Sequence, residues 1–271
     1  MSGSSLVDRA GVQILDGFKT VAETLSYLAL RGIRVVEINL NNPYFLAQLT
    51  AEPERAEIAK VAQDEGITWV AHLPETMGFF EIAEQVFARY LTWLARLQEK
   101  ASDAGCKALT VHLGSAPPLA YSGQRRQGTD LFREYYETNL LVRLRRAANL
   151  LRNGPPVCIE NVGGFHQQFV RDIFSRIDGL SYTMDIGHLK AAHPRIADAE
   201  FCFFREHANA IRVVHVHDND GEWDGHLPVT DPAALEPYLG FARELDAYLI
   251  MEVRPVEAAI SSLAALTGIK R

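Results

Sequence analysis

Short runs of apolar, β-branched and aromatic residues alternate along this chain with longer amphipathic stretches. The short runs are GVQIL (11–15), RVVEINL (34–40), ITWVAHL (67–73), ALTVHLG (108–114), PVCIENV (156–162), LSYTMDI (180–186), IRVVHVHD (211–218) and AYLIMEV (247–253). They read as strands, and the middle ones are apolar almost throughout, as expected where both faces of a parallel sheet are covered. Helical patterning fills the intervals 20–31, 53–65, 79–104, 129–153, 166–176, 199–209, 232–245 and 255–267. Helix starts are marked at Thr129-Asp130 and at Asp231-Pro232, where Asp231 can cap and Pro232 fits the first turn. Eight strands, each followed by a helix, predict an α/β fold, a single (β/α)8 TIM barrel over residues 1–271. The length of 271 residues suits it, since such barrels form one unit of about 250 residues. No internal repeat or linker interrupts the alternation.

Chemistry gathers at the strand ends. Five of the nine histidines stand there or just beyond: His72, His112, His188, His215 and His226. Glu160, Asp185, Asp224 and Glu252 keep them company. Imidazole with carboxylate is the ligand set of a divalent ion such as zinc, manganese or iron. In a barrel all nine positions fall at the carboxyl-terminal face, where this fold carries its active sites. Nine groups exceed the four to six that one ion takes, so the spacing predicts a multinuclear cluster bridged by Glu160.

Composition narrows the setting. The hydrophobic share of 48% and charged share of 23% are ordinary for a globular protein. A net charge of −7 argues against a nucleic-acid partner, because phosphate binding rewards a basic surface. Cys106, Cys158 and Cys202 are odd in number and form no CxxC pair, which suits a reduced, cytoplasmic protein. Residues 1–10 show no signal-peptide pattern, and no apolar run approaches the ~18 residues that cross a bilayer.

The motifs HLP, VHLG, IEN, DIGH, HVHD, DGHLP and MEVR, spread over roughly residues 10–267, resemble the xylose isomerase-like TIM-barrel superfamily, which includes endonuclease IV-type AP endonucleases. In the endonuclease branch a trinuclear zinc cluster hydrolyses a phosphodiester. The resemblance implies one ion held by His72, His112 and Glu160. A second would be held by Glu160, Asp185, His215 and Glu252, and a third by His188, Asp224 and His226. In the sugar isomerase and epimerase branch it implies one ion on Glu160, Asp185, His215 and Glu252, with Glu160 and Glu252 as the acid–base pair. The sequence departs from the endonuclease pattern in its loops. ENVGGFHQQF follows the fifth strand, HVHDNDGEWDGHLPVTD the seventh, and Val229-Thr230-Asp231 replaces a glycine-rich tail.

Two functions therefore compete. One is a metal-dependent hydrolase of a phosphodiester in a small-molecule or nucleotide-like substrate, such as a cobamide nucleotide loop, with up to three zinc ions. The other is a sugar or sugar-phosphate isomerase or epimerase with one divalent ion. An AP endonuclease ranks below both because of the charge and the loops. An epimerase has no chemical use for all of His72, His112, Asp224 and His226 as ligands, which favours hydrolysis. Candidates for substrate contact are Arg254, His217 (on the same strand face as His215), Trp223, and Tyr121, Arg125 and Arg126 in the polar loop 115–128. Arg254 could clamp a phosphate or pair with a strand-end carboxylate, and Phe79-Phe80 and Trp223 could stack on a ring. Asn161 could orient Glu160, and Asn219 and Asp220 could form a turn. His166, His193 and His207 show no partner pattern.

Overall fold

The computed structural model describes residues 6–75, 78–221 and 223–268. Eight parallel strands close into a barrel in sequence order: β1 (Ala10–Ile14), β2 (Val35–Asn39), β3 (Thr68–His72), β4 (Leu109–His112), β5 (Val157–Glu160), β6 (Ser181–Asp185), β7 (Ile211–Val216) and β8 (Tyr248–Met251). β1 closes the ring by pairing with β2 and β8, Val12 standing opposite Val36 and Met251. The close approach of β1 to β2 explains Gly11, since a Cβ there would lie 1.9 Å from the Val35 carbonyl oxygen.

Alternation along each strand separates two environments. Val12, Val36, Trp69, Val111, Met184 and Val214 turn outward and pack beneath the helices in one continuous core. The helix Glu84–Asp103 shows the matching pattern, burying Phe87, Tyr90, Leu91, Leu94, Leu97, Gln98 and Ala101 at three- and four-residue intervals. Inward-turned residues change character along the barrel axis. Val35, Val70, Ala108, Cys158, Val213 and Ile250 form a small apolar cluster of their own. Two residues further along these strands stand Glu37, His72, Thr110, Glu160, His215 and Glu252, all buried. The barrel interior is thus an apolar plug beneath a polar, titratable layer at the carboxyl end.

Differences from the sequence reading lie in the connections. A helix at Pro43–Thr50 precedes the expected second one, started by Asn42, whose side chain accepts from the amides of Tyr44 and Phe45. The next helix opens at Glu84 rather than 79, because Phe79 is tied through its amide to the Leu113 carbonyl at 2.9 Å. Phe79 and Phe80 are consequently core residues and offer no ring to a substrate. After β6 two helices occur, Ile186–Ala191 and Pro194–Glu206, in place of one beginning at 199. The polar loop after β4 contains an antiparallel hairpin, Pro118–Tyr121 with Gln124–Gln127, turned by Ser122 and Gly123 at φ 48° and 77°. Cys106, Cys158 and Cys202 are all unpaired. Among the described residues no helix is long and apolar enough to cross a membrane.

Candidate metal centre

Local sequence explains how the strand ends converge. β6 stops at Asp185, which also caps the helix Ile186–Ala191: its Oδ1 accepts from the His188 amide at 2.7 Å. This sets His188 in the first turn, beside the site. Gly187 lies between them because a Cβ there would come within 2.0 Å of the His217 ring.

The loop after β7 folds back by mutual backbone bonds between Asp218 and Leu227, at 2.8 and 2.7 Å. Asn219 anchors it, donating from Nδ2 to the Gly187 carbonyl at 2.6 Å and accepting from the Gly221 amide at 3.0 Å. His226 occurs at φ 45°, a left-handed conformation that costs a non-glycine residue about 1–3 kcal/mol and concentrates at functional sites. In return its ring stacks on His217, with centroids 4.1 Å apart.

The nine expected donors, together with two more, fall into three adjoining sets. His72, His112 and Glu75 form one, Glu160, Asp185, His215 and Glu252 a second, and His188, His217, Asp224 and His226 a third. Within each set the donor atoms lie within 4.8 Å of one another. Ligands about 2.0–2.3 Å from a tetrahedral ion are spaced by roughly 3.3–3.8 Å, so a modest contraction suffices. Glu160 sits between two sets. Its Oε2 is 2.9 Å from His112 Nε2 and 3.4 Å from His72 Nε2, while Oε1 is 2.7 Å from His215 Nδ1. Asp185 sits between the other two, 3.7 Å from His215 Nδ1 and 3.2 Å from His217 Nε2. Asp224 Oδ2 lies 3.0 Å from His188 Nε2 and 3.2 Å from His226 Nε2.

Glu75 and His217 were not assigned as ligands from sequence. Glu75 belongs to the loop just beyond β3, 3.9 Å from His112 Nδ1 and tethered to Asn41 at 2.8 Å. His217, expected as a pocket residue, has its Nε2 3.5 Å from Asp224 Oδ1, among the outer donors.

Sequence reasoning also missed Glu37. It is 0% exposed in the middle of β2, and its Oε2 lies 2.9 Å from His215 Nε2. Gln13 Nε2 donates to the same oxygen at 2.9 Å, and Asn39 Nδ2 donates to Gln13 Oε1 at 3.1 Å. Glu37 therefore fixes the His215 ring from behind and leaves Nδ1 turned toward Glu160 and Glu252, at 2.7 and 2.8 Å. A carboxylate behind a histidine is the arrangement that orients and strengthens a metal-binding imidazole.

The donor set fits divalent cations on two further grounds. Glu160 Oε2, Asp185 Oδ2, His188 Nδ1, His217 Nε2 and Asp224 Oδ1 are buried without a well-aligned hydrogen bond, although several have close neighbours. Such atoms are costly unless something else satisfies them. Moreover, Glu37, Glu160, Asp185 and Glu252 bury carboxylates around one centre, with Arg254 as the adjacent permanent cation. The histidines respond to this field. Burial opposes protonation of His72, yet Glu160, together with Glu252 and Glu37, outweighs it and raises the pKa to about 9. His217 is raised to about 9 against burial by Asp185. His215 and His188 rise well above the usual imidazole range, driven against burial chiefly by Glu37 and Asp185 respectively. Conversely, Glu160 and Glu252 resist burial and stay well below the carboxylate norm because of His215, and Asp224 is lowered by His188 and His226. A divalent ion offers the same positive charge that the extra protons provide.

The remaining candidates divide. Arg254 donates to Gln13 Oε1 at 2.6 Å and to Glu252 Oε1 at 3.3 Å, so the ion pair is formed. Asn161 is buried, and it holds the chain at Asp185: its Nδ2 donates to the Asp185 carbonyl at 3.1 Å and its Oδ1 accepts from the Asp185 amide at 2.6 Å. It thus orients Asp185 rather than its neighbour Glu160. Trp223 is 66% exposed beside Asp224. Tyr121, Arg125 and Arg126 stand in solvent on the hairpin, with Arg126 over the Tyr121 ring at 5.9 Å, rather than against the donors. His193 caps the helix Pro194–Glu206, and His207 stacks on Phe203 with centroids 4.0 Å apart. His166 lines a cleft next to His188, as does Glu200, which burial pushes up to about 7.

The fold has wide company. A D-tagatose 3-epimerase-like protein superposes with TM-score 0.73 at 19% identity, covering 96% of each chain. A Thermus thermophilus protein soaked with zinc chloride gives 0.66 at 19% identity, over 97% of this chain and 99% of that one. Endonuclease IV from the same organism gives 0.65 at 18%, over 96% and 98%. No curated protein matches the sequence. Residues 25–267 match the family model described as xylose isomerase-like TIM barrel, and the chain belongs to that family.

Proposed function

We propose that this protein is a metal-dependent hydrolase that cleaves a phosphodiester in a small-molecule or nucleotide-like substrate. One observation carries the reading: three donor sets adjoin on a single barrel face, linked through Glu160 and Asp185. A phosphodiester displacement needs charge stabilised on both the attacking and the leaving oxygen, which a multinuclear site provides. When bound, divalent ions (zinc, with manganese or iron as alternatives) supply Lewis-acid polarisation of the phosphoryl group and of the attacking water. The chain's own part is positional. Glu160 and Glu252 flank His215 Nδ1 and hold negative charge at the inner set. Glu37 and Gln13 keep that imidazole from rotating. Arg254 stands beside Glu252, within reach of an anionic group that exchanges for its present partners.

A second reading rests on a specific feature. Glu160 and Glu252 approach the same point from β5 and from just beyond β8, as an acid–base pair for epimerisation would. Sugar epimerases occur among the structural neighbours. Epimerisation has no use for the outer set, which decides the test. Hydrolysis requires that His226→Ala abolish cleavage on a panel of nucleotide-containing diesters and abasic DNA. A parent protein that cleaves nothing on the panel, yet exchanges the α-proton of a keto sugar with solvent, would replace hydrolysis by epimerisation.

A further inference from the structure

Beside the outer donors opens a cleft of about 410 Å³ that the metal chemistry does not explain. His188 and Asp224 line part of it, and His166 and Gly163 another part. Trp223 forms one wall, its indole largely exposed, and Val162, Ala191, Ala192 and Ile196 contribute apolar lining. Asn161 and Glu200 are polar, the Glu200 carboxylate only 3% exposed and accepting from Asn161 Nδ2 at 3.3 Å. Neither lysine nor arginine lines it among the described residues. With His188 and His166 as its only basic lining among those residues and no permanent cation, such a cleft is a poor seat for a second phosphate or carboxylate away from the donors. It also offers few groups for the many hydroxyls of a sugar. An indole wall, apolar lining and a polar edge suit a flat heteroaromatic ring, stacked on one face and hydrogen-bonded along its rim.

We infer that this cleft is a subsite for the planar heteroaromatic group of an ester whose phosphoryl group lies at His188, Asp224 and His226. The inference rests on the outer set holding the reacting ester of the proposed hydrolase, and it narrows the substrate class to diesters carrying a nucleobase-like ring.

The experiment is equilibrium binding, by calorimetry, of AMP and of ribose 5-phosphate to the metal-loaded protein. The two probes share the phosphate and the sugar and differ in the ring. AMP should bind at least tenfold more tightly, the scale of stacking one base on an aromatic side chain. Trp223→Ala should erase most of that preference without changing ribose 5-phosphate binding, and Trp223→Phe should restore part of it. Ile196→Trp, which fills the cleft, should also weaken AMP alone. Equal affinities for the two probes, no measurable AMP binding, or a preference untouched by both Trp223→Ala and Ile196→Trp overturns the subsite. Because the readout is binding, the two ideas separate. A Trp223-dependent preference in a protein that cleaves no diester keeps the cleft and discards hydrolysis. Diester cleavage without the preference does the reverse.

Discussion

Replacing Glu37 by glutamine isolates the role of a carboxylate that touches no proposed ion. The side chain keeps its size, but the 2.9 Å contact with His215 Nε2 loses its charge. Gln13 Nε2 already donates to the same Glu37 oxygen, so an amide nitrogen placed there would face another donor. A buried charge-assisted hydrogen bond contributes about 1.5–3 kcal/mol. At about 1.4 kcal/mol per decade, its loss weakens inner-set metal affinity by roughly 10–100-fold, which agrees with the cost of removing a partner behind a metal-binding histidine. The assay is competition between the protein and a chromogenic chelator for zinc at fixed pH. Circular dichroism and thermal melting of the metal-free form serve as the check on folding. Glu37→Asp, which keeps the charge but shortens the reach, should lie between parent and Glu37→Gln. An unchanged zinc affinity in a folded Glu37→Gln protein would refute the claim that Glu37 orients His215.

Three further outcomes are expected. Glu160→Gln should cut turnover by about 10²–10³ while leaving the fold intact, since it removes one electrostatic partner of the transition state; rates within a few-fold of the parent, with unchanged metal content, would exclude a bridging role. Gly187→Ala should displace His217 from the outer donors, because its Cβ would meet the ring at 2.0 Å; elemental analysis should then find fewer ions per chain than in the parent, which should hold at least two. The raised pKa values of His72 and His217, about 9 in the fold against ~6.5 unfolded, contribute stability that is full below pH ~6.5 and lost as pH climbs toward about 9. Chelator-treated protein should therefore melt progressively lower over that window, while zinc affinity rises as protons cease to compete; a melting temperature independent of pH between 6.5 and 9 would contradict this.

The barrel was legible because each strand carries its own signature and because six of the donors, His72, His112, Glu160, Asp185, His215 and Glu252, stand within a residue of the strand ends. His72, Glu160 and Asp185 announce themselves as single polar residues ending apolar runs. Glu37 does not. It lies mid-strand, and its partner His215 is 178 positions away, so only ring closure brings β2 opposite β7. A faint signal existed: Gln13, Glu37 and Asn39 are polar at alternate positions of otherwise apolar strands. His217 was visible as a neighbour of His215, but its place among the outer donors depends on the Asp218–Leu227 clasp that folds Asp224 and His226 back. The missed helix Pro43–Thr50 had its start written in Asn42-Pro43, and the hairpin its turn in Ser122-Gly123. Neither stands out in a periodicity reading, because both segments are short and lack strong periodicity.

The apolar plug formed by Val35, Val70, Ala108, Cys158, Val213 and Ile250 makes the barrel a vessel open at one end. Among the described residues that plug floors the space beneath the carboxylates, so the ions, substrate and products of the proposed enzyme would share one doorway through the loops. Traffic through one doorway is necessarily sequential: whatever binds deepest enters first and leaves last. A ligand seated across the mouth therefore acts as a stopper, and should slow the escape of anything held below it even where it makes no contact with it.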